Sequence, residues 1–146
     1  MDIERDFGVA ERQDEQAGSV TSRGVNPIMK DILERKVRLY LEEKKIYLDP
    51  KMSLQKFSSL TSTNTTYLSN TVNDCFGCNF RVLLNRYRIE QAKRMMVAER
   101  GLVKDLYKRC GFTSRSVFYA SFKSITGKTP SEYLKGKISD NDSYWK

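Results

Sequence analysis

The sequence predicts an all-α fold with about seven helices, and three observations carry it. Apolar residues recur at three- and four-residue spacing through most of the chain. Helix start and stop signals bracket those segments at regular intervals. No segment alternates apolar and polar residues as a half-buried strand would. The fold expected is two helix-turn-helix units joined by a long linker helix.

Residues 1–25 have few apolar residues and no sustained period, and they read as a disordered arm or linker. Order is expected to begin at Asn26-Pro27, a helix cap followed by proline at the first helical position. In the helix that follows, Ile28, Ile32, Leu33, Val37, Tyr40 and Leu41 fall at helical spacing, and Asp49-Pro50 marks its end. Ser53 to Leu60 forms a short helix with Leu54, Phe57 and Leu60 inward, and a brief turn leads to a helix from about Asn64 to Cys75. Asn79 caps a longer helix whose stripe is Phe80, Leu83, Leu84, Tyr87, Ala92, Met95 and Met96. Gly101 ends it, Leu102 to Cys110 forms another short helix, and a Gly-Phe turn precedes a helix from about Ser114 to Ile125. Thr129-Pro130-Ser131-Glu132 is a capping box opening the last helix.

Two of these segments repeat each other. At an offset of 50, Leu68 falls on Phe118, Val72 on Phe122, Cys75 on Ile125 and Gly77 on Gly127. Each unit is helix, tight turn, helix and glycine stop. The expected layout is a first helix-turn-helix at 53–76, a linker helix at 80–97, a second helix-turn-helix at 102–126 and a closing helix at 130–136. These lie in a domain spanning 26–138, followed by a frayed tail at 139–146.

The helix faces suggest what the repeat does. Residues 68, 72 and 75, like 118, 122 and 125, share one side at 100° per residue and belong to the core. Opposite them lie Thr66, Ser69, Asn70 and Asn73 in the first copy. In the second they are Ser116, Tyr119, Ala120 and Lys123. Thr65 and Arg115 sit at the margin. Thr, Ser and Asn each cost roughly half a kcal/mol against Ala in a helix, so a face built of them calls for a reason. Short uncharged hydrogen-bonding side chains suit a helix lying in a major groove against base edges. A polar face without a partner, or a protein–protein contact, is the plainer reading. A linker helix of roughly 18 residues spans ~27 Å. With a unit packed at each end, two such helices would stand ~34 Å apart, one turn of B-DNA.

Charge agrees. The chain has 26 Lys and Arg against 18 Asp and Glu, a net +8. Residues 1–26 hold six acids and three bases, whereas residues 27–146 hold 12 acids and 23 bases. A compact region with that excess attracts polyanions, nucleic acid first; solubility or an acidic lipid or protein partner are the alternatives. There is no histidine, which removes the commonest general base and metal ligand. Cys75 and Cys78 have C-x-x-C spacing, but a zinc site would need a fourth ligand. The alternative is a helix end, with Gly77 as its left-handed cap. Nothing suggests an enzyme, a cofactor or a metal. No apolar run approaches the ~20 residues needed to cross a bilayer, and the expected location is the cytoplasm, on the nucleoid.

Residues 53–134 resemble the DNA-binding domain of AraC/XylS-type transcriptional regulators. The resemblance is carried by SLQKFSSLTSTNTTYLSNTVNDCFGCNF, then NRYRIEQAKRMM, then VKDLYKRCGFTSRSVFYASFKSITGKTPSEYL. The Gly-Phe turn, the F-x-x-x-F-K core and the G-x-T-P-x-E-Y-L ending are its most specific parts. It implies a bacterial activator of promoters, with double-stranded DNA as partner and RNA polymerase as a further one. Carried over by position, the base-contacting candidates are Thr65, Thr66, Ser69 and Asn70, then Arg115, Ser116, Tyr119 and Ala120. Phosphate-contacting candidates are Lys56, Arg81, Lys123 and Lys128, with the helix N-termini at Asn79 and at Thr113-Ser114. The sequence departs from the family at two places. Ala120 stands where a longer polar or basic side chain is common, and Ser62 replaces a usual turn glycine. The 52 residues before Ser53 are too few for the family's sensing domain, so a sensor domain or chain outside this sequence is implied. The alternative function is a basic helical protein-interaction module that does not read DNA sequence.

Overall fold

The computed structural model describes residues 26–145, and the side chains of residues 26–137. The arm expected at 1–25 lies outside the described residues. Seven α-helices and no strand occur among the described residues: α1 (Pro27–Arg38), α2 (Leu54–Leu60), α3 (Thr65–Phe76), α4 (Phe80–Ala98), α5 (Leu106–Arg109), α6 (Arg115–Thr126) and α7 (Pro130–Trp145). A π-turn at Leu39–Glu43 extends α1, and a 3-10 turn covers Ile46–Leu48. The predicted all-α class with two helix-turn-helix units and a long linker helix is what the chain adopts.

The chain divides into two compact units. The first takes the described residues up to Ile46 together with Lys51–Leu84, and the second takes Tyr47–Pro50 and the chain from Asn85 onward. In the first unit, Asn26 caps α1 by accepting from the Ile28 amide at 2.8 Å. The helix then buries Leu33, Val37 and Leu41. Phe57 of α2 stacks on Phe80 with ring centroids 5.1 Å apart, and Tyr40 meets Phe57 edge-on at 5.6 Å. Leu68 and Val72 of α3 complete this core.

The second unit is built on an aromatic series from α6. Phe118 packs edge-on against Phe112 and Phe122, and Phe122 packs against Tyr133 of α7, with centroids 5.4, 5.9 and 5.6 Å apart. Ile89, Ala92 and Met96 of α4 and Leu106 and Cys110 of the α5 region close the cluster. Thr129 and Glu132 form the expected reciprocal cap of α7. The Thr129 amide donates to Glu132 Oε1 at 2.9 Å and the Glu132 amide to Thr129 Oγ1 at 3.2 Å. The hydrogen bond from the Thr129 backbone holds the Glu132 carboxyl below its ordinary range.

Several expectations are corrected. Ile28 and Ile32 lie on the helix side away from Leu33 and Val37 and are exposed, Ile28 at 66%. Their helical spacing belongs to a second, outward apolar stripe. Leu60 and Ile125, expected inward, are also exposed, because each sits near a helix end where the buried face runs out. The helix expected over 102–110 is one turn, Leu106–Arg109, because Asp105 before it takes a left-handed φ of 54°. The closing helix runs to Trp145 rather than stopping at 136 with a frayed tail. No proline follows Pro130, and Gly136 alone costs only ~1 kcal/mol in a helix.

Candidate nucleic-acid interface

The two candidate recognition helices are built alike. α3 and α6 each have 12 residues. Asn64 caps α3 through its side-chain oxygen, accepting from the Tyr67 amide at 2.7 Å, and Ser114 caps α6 through Oγ, accepting from the Val117 amide at 3.2 Å. Gly77 and Gly127 end them at left-handed φ values of 72° and 81°. Caps of this kind contribute about 1 kcal/mol each and fix where the first turn begins. The first outward side chain of each helix therefore occupies the same structural position, Thr65 in one and Arg115 in the other.

On α6, Arg115, Ser116, Tyr119 and Ala120 are all exposed, and Val117 and Lys123 flank them. On α3, Thr65 and Thr66 are exposed and Asn70 is half-buried. Ser69 is not on that face. It is only 5% exposed, which corrects its assignment as a base contact. α3 packs against both α1 and α2, and its buried arc takes in Leu68, Ser69, Thr71 and Val72. The arc of α6 holds only Phe118 and Phe122. Tyr119, 50 positions after Ser69, is consequently 43% exposed.

Of the phosphate-contacting candidates, Lys56, Arg81, Thr113, Lys123 and Lys128 are exposed. Ser114 is half-buried, with its oxygen engaged as the cap. Asn79 is 5% exposed and its side-chain oxygen accepts from the Val82 amide at 2.9 Å. Its side chain is withdrawn from solvent by the capping role the sequence predicted for it, and the phosphate contact expected there is through the backbone of the helix N-terminus.

One neighbour of this face was not singled out by sequence reasoning. The Arg115 guanidinium lies over the Tyr107 ring, 5.6 Å from its centroid. Beside them is a half-open cavity of about 290 Å³, lined by Leu102, Tyr107, Arg115, Phe118, Tyr119 and Pro130 among others. The sequence signal was an aromatic on the helix before the turn, eight residues ahead of the arginine, but the contact depends on how the turn folds. Among the described residues, no group of three or more Cys, Asp or Glu is placed to hold a metal ion, and no helix is long and apolar enough to cross a membrane.

Comparison with known proteins agrees with this geometry. A family model described as a helix-turn-helix domain matches residues 57–136. A Staphylococcus aureus protein described as an uncharacterized HTH-type transcriptional regulator is 29% identical over 106 residues, which is 73% of this chain and 14% of that protein. A relative from strain MSSA476, described in the same way, is 28% identical over the same length. The chain thus spans about a seventh of the curated relatives it matches. Among solved structures, the C-terminal domain of AraT, a response regulator from Geobacillus stearothermophilus, aligns with a TM-score of 0.64 at 22% identity, over 71% of this chain and 84% of that one. A protein of unknown function from Listeria innocua aligns at 0.59 and 28% identity, over 75% and 97%. The C-terminal domain of the two-component response regulator yesN from Fusobacterium nucleatum aligns at 0.58 and 22%, over 73% and 97%.

Proposed function

The chain belongs to the AraC-type helix-turn-helix domain family of transcription regulators, and from that premise we propose that it reads double-stranded DNA sequence-specifically, with α3 and α6 in two successive major-groove segments. The observation that carries this reading is the repeated pair of 12-residue helices, each capped at its start, ended by glycine and presenting exposed side chains away from its core. α4, with 19 residues, is about 28 Å long.

Affinity comes from cations, and sequence choice from the outward faces. Lys56, Arg81, Lys123 and Lys128, with the amides of the helix N-termini at Asn79 and at Thr113-Ser114, are the phosphate contacts, and they carry no sequence information. Arg115 is the principal base reader: a guanidinium offers two parallel donors to guanine O6 and N7, worth ~1–3 kcal/mol of discrimination. Thr65, Thr66 and Asn70 read from α3, and Ser116, Tyr119 and Ala120 from α6. The domain acts in the cytoplasm as an activator, contacting RNA polymerase and answering to a sensing part beyond this sequence. No catalytic or cofactor chemistry is assigned to it.

A salt titration on two duplexes tests the reading. One is selected from a random pool and the other is unselected. With ~6 phosphates engaged, log K should fall against log salt with a slope of about −5 on both, and the selected duplex should bind far tighter at every salt. Equal affinity for the two would leave a basic interaction module as the better description.

A further inference from the structure

We infer that Tyr107 is a positioning residue for base readout, its ring holding the Arg115 guanidinium with the donor edges left free. The inference rests on the reading of Arg115 as a base contact, and it adds a residue of α5 to that site.

Arg115 is the first residue of α6, exposed, and its long side chain has many rotamers available in solvent. The Tyr107 ring is its partner, at 5.6 Å from guanidinium carbon to centroid, within the ~6 Å reach of a cation over an aromatic face. No hydrogen bond or ion pair to a described residue engages the guanidinium. Asp105 lines the same cavity, and no ion pair joins it to Arg115 among the described residues. The difference matters chemically. A carboxylate would occupy the guanidinium's in-plane donors and neutralise its charge. A ring face attracts the cation without taking any in-plane N–H, so both parallel donors remain for a guanine edge.

The ring rests against the second core, and the backbone that carries it is fixed. Tyr107 is half-buried against the second core, and its carbonyl accepts from the Phe112 amide at 2.9 Å across the turn. Pre-ordering a side chain this way lowers the rotamer entropy lost on binding. Lys108 Nζ lies 6.0 Å from the same centroid, and its ammonium carries no planar donor fork.

The test uses a duplex selected by the wild-type chain, and the same duplex with adenine replacing the guanine at which Arg115→Ala relaxes preference. The quantity read is the ratio of the two affinities, alongside affinity for unselected DNA. Tyr107→Phe, which keeps the ring face, should hold the wild-type ratio. Tyr107→Leu should lower it about two- to fivefold, with binding to unselected DNA unchanged. A Tyr107→Leu variant that keeps the full ratio while Arg115→Ala loses it overturns the inference, as does a Tyr107→Phe loss equal to that of Tyr107→Leu. If Arg115→Ala relaxes preference at no position, the underlying reading of Arg115 fails instead.

Discussion

Arg88 donates from Nε to the Tyr47 carbonyl at 2.7 Å and from its terminal Nη2 to the Asp49 carbonyl at 3.0 Å. The two residues are 41 positions apart in sequence. With this fork the middle of α4 fixes Tyr47–Pro50 within the second unit, although the residues on either side of that segment belong to the first. Arg88 also lies over the Phe112 ring at 5.6 Å, and burial pulls its basicity below the ordinary arginine value. A buried cation is tolerated here because carbonyl oxygens and a ring face surround it.

Replacing Arg88 with Met should lower stability by about 2–4 kcal/mol in urea unfolding, since charged hydrogen bonds are worth roughly 1.5–3 kcal/mol each and two carbonyls lose their donor. Arg88→Lys keeps the charge but has no planar fork to span both carbonyls, and should recover less than half of the loss. A Met variant within 0.5 kcal/mol of wild type, as an order-of-magnitude bound for an inert site, would show that the fork contributes nothing net.

The same junction dictates Gly111. A Cβ there would come within 2.3 Å of the Tyr47 carbonyl oxygen and 2.9 Å of Arg88 Nε, at a φ of 99°. Gly127 has a comparable φ of 81° but open space around it. Gly127→Ala should therefore cost only the left-handed backbone penalty, ~1–2 kcal/mol. Gly111→Ala should cost distinctly more, because backbone must move. Thermal melts of the two variants compare them directly, and equal losses would remove the steric argument.

Ser62 is the converse case. It holds a φ of 60°, between the α2 cap at Thr61 and the α3 cap at Asn64. Ser62→Gly should relieve the left-handed strain while adding freedom to the unfolded chain, a net gain of about 0.5–1 kcal/mol. An unchanged or lowered unfolding midpoint would contradict this.

What the sequence revealed and what it hid follow the range of the interactions. The starts of α3 and α6 near Asn64 and Ser114 and their stops at Gly77 and Gly127 were legible because a helix end is decided within four residues. Leu68, Val72, Phe118 and Phe122 were legible because a helical period reports the buried side. The burial of Ser69 was not, since it depends on α1 and α2 both packing against α3. Nor were the outward Ile28 and Ile32: periodicity locates a stripe without saying which of two stripes meets the core. The single turn of α5 was hidden for another reason. Leu102–Cys110 has no internal breaker, and the left-handed backbone at Asp105 was not readable from its spacing. The contact between Tyr107 and Arg115 follows from that turn.

Burial pushes the Cys110 thiol up to about 11 from an ordinary value of 9.0. The folded state therefore holds the proton more tightly than the unfolded chain does. The stability this contributes is complete below pH 9 and is lost as pH rises toward 11. The Cys110→Ala variant lacks this group, so the stability difference between wild type and variant should shrink across that window. At pH 8 to 9, alkylation of Cys110 should be limited by unfolding, and half-buried Cys75 should react sooner. A constant difference between pH 8 and 11 would mean that Cys110 titrates alike in both states.

Ser69 and Asn70 are adjacent in sequence but face different surroundings, and variants at them test the proposed base readout against packing within one helix. Ser69 is buried and Asn70 is half-buried toward the Thr66 side. Asn70→Ala should relax the preference at one base position, by ~1–3 kcal/mol if it makes a bidentate pair with adenine, and leave unfolding nearly unchanged. Ser69→Ala should leave the preference intact. Its effect should appear in stability, on the order of 1 kcal/mol, since a buried hydroxyl is removed along with whatever bonds it makes. A selection from random duplexes with each variant, paired with urea unfolding, resolves the two. If Ser69→Ala shifts the selected sequence while Asn70→Ala does not, α3 presents a different face to DNA from the one its burial pattern indicates, and the equivalence of α3 and α6 as readers is lost.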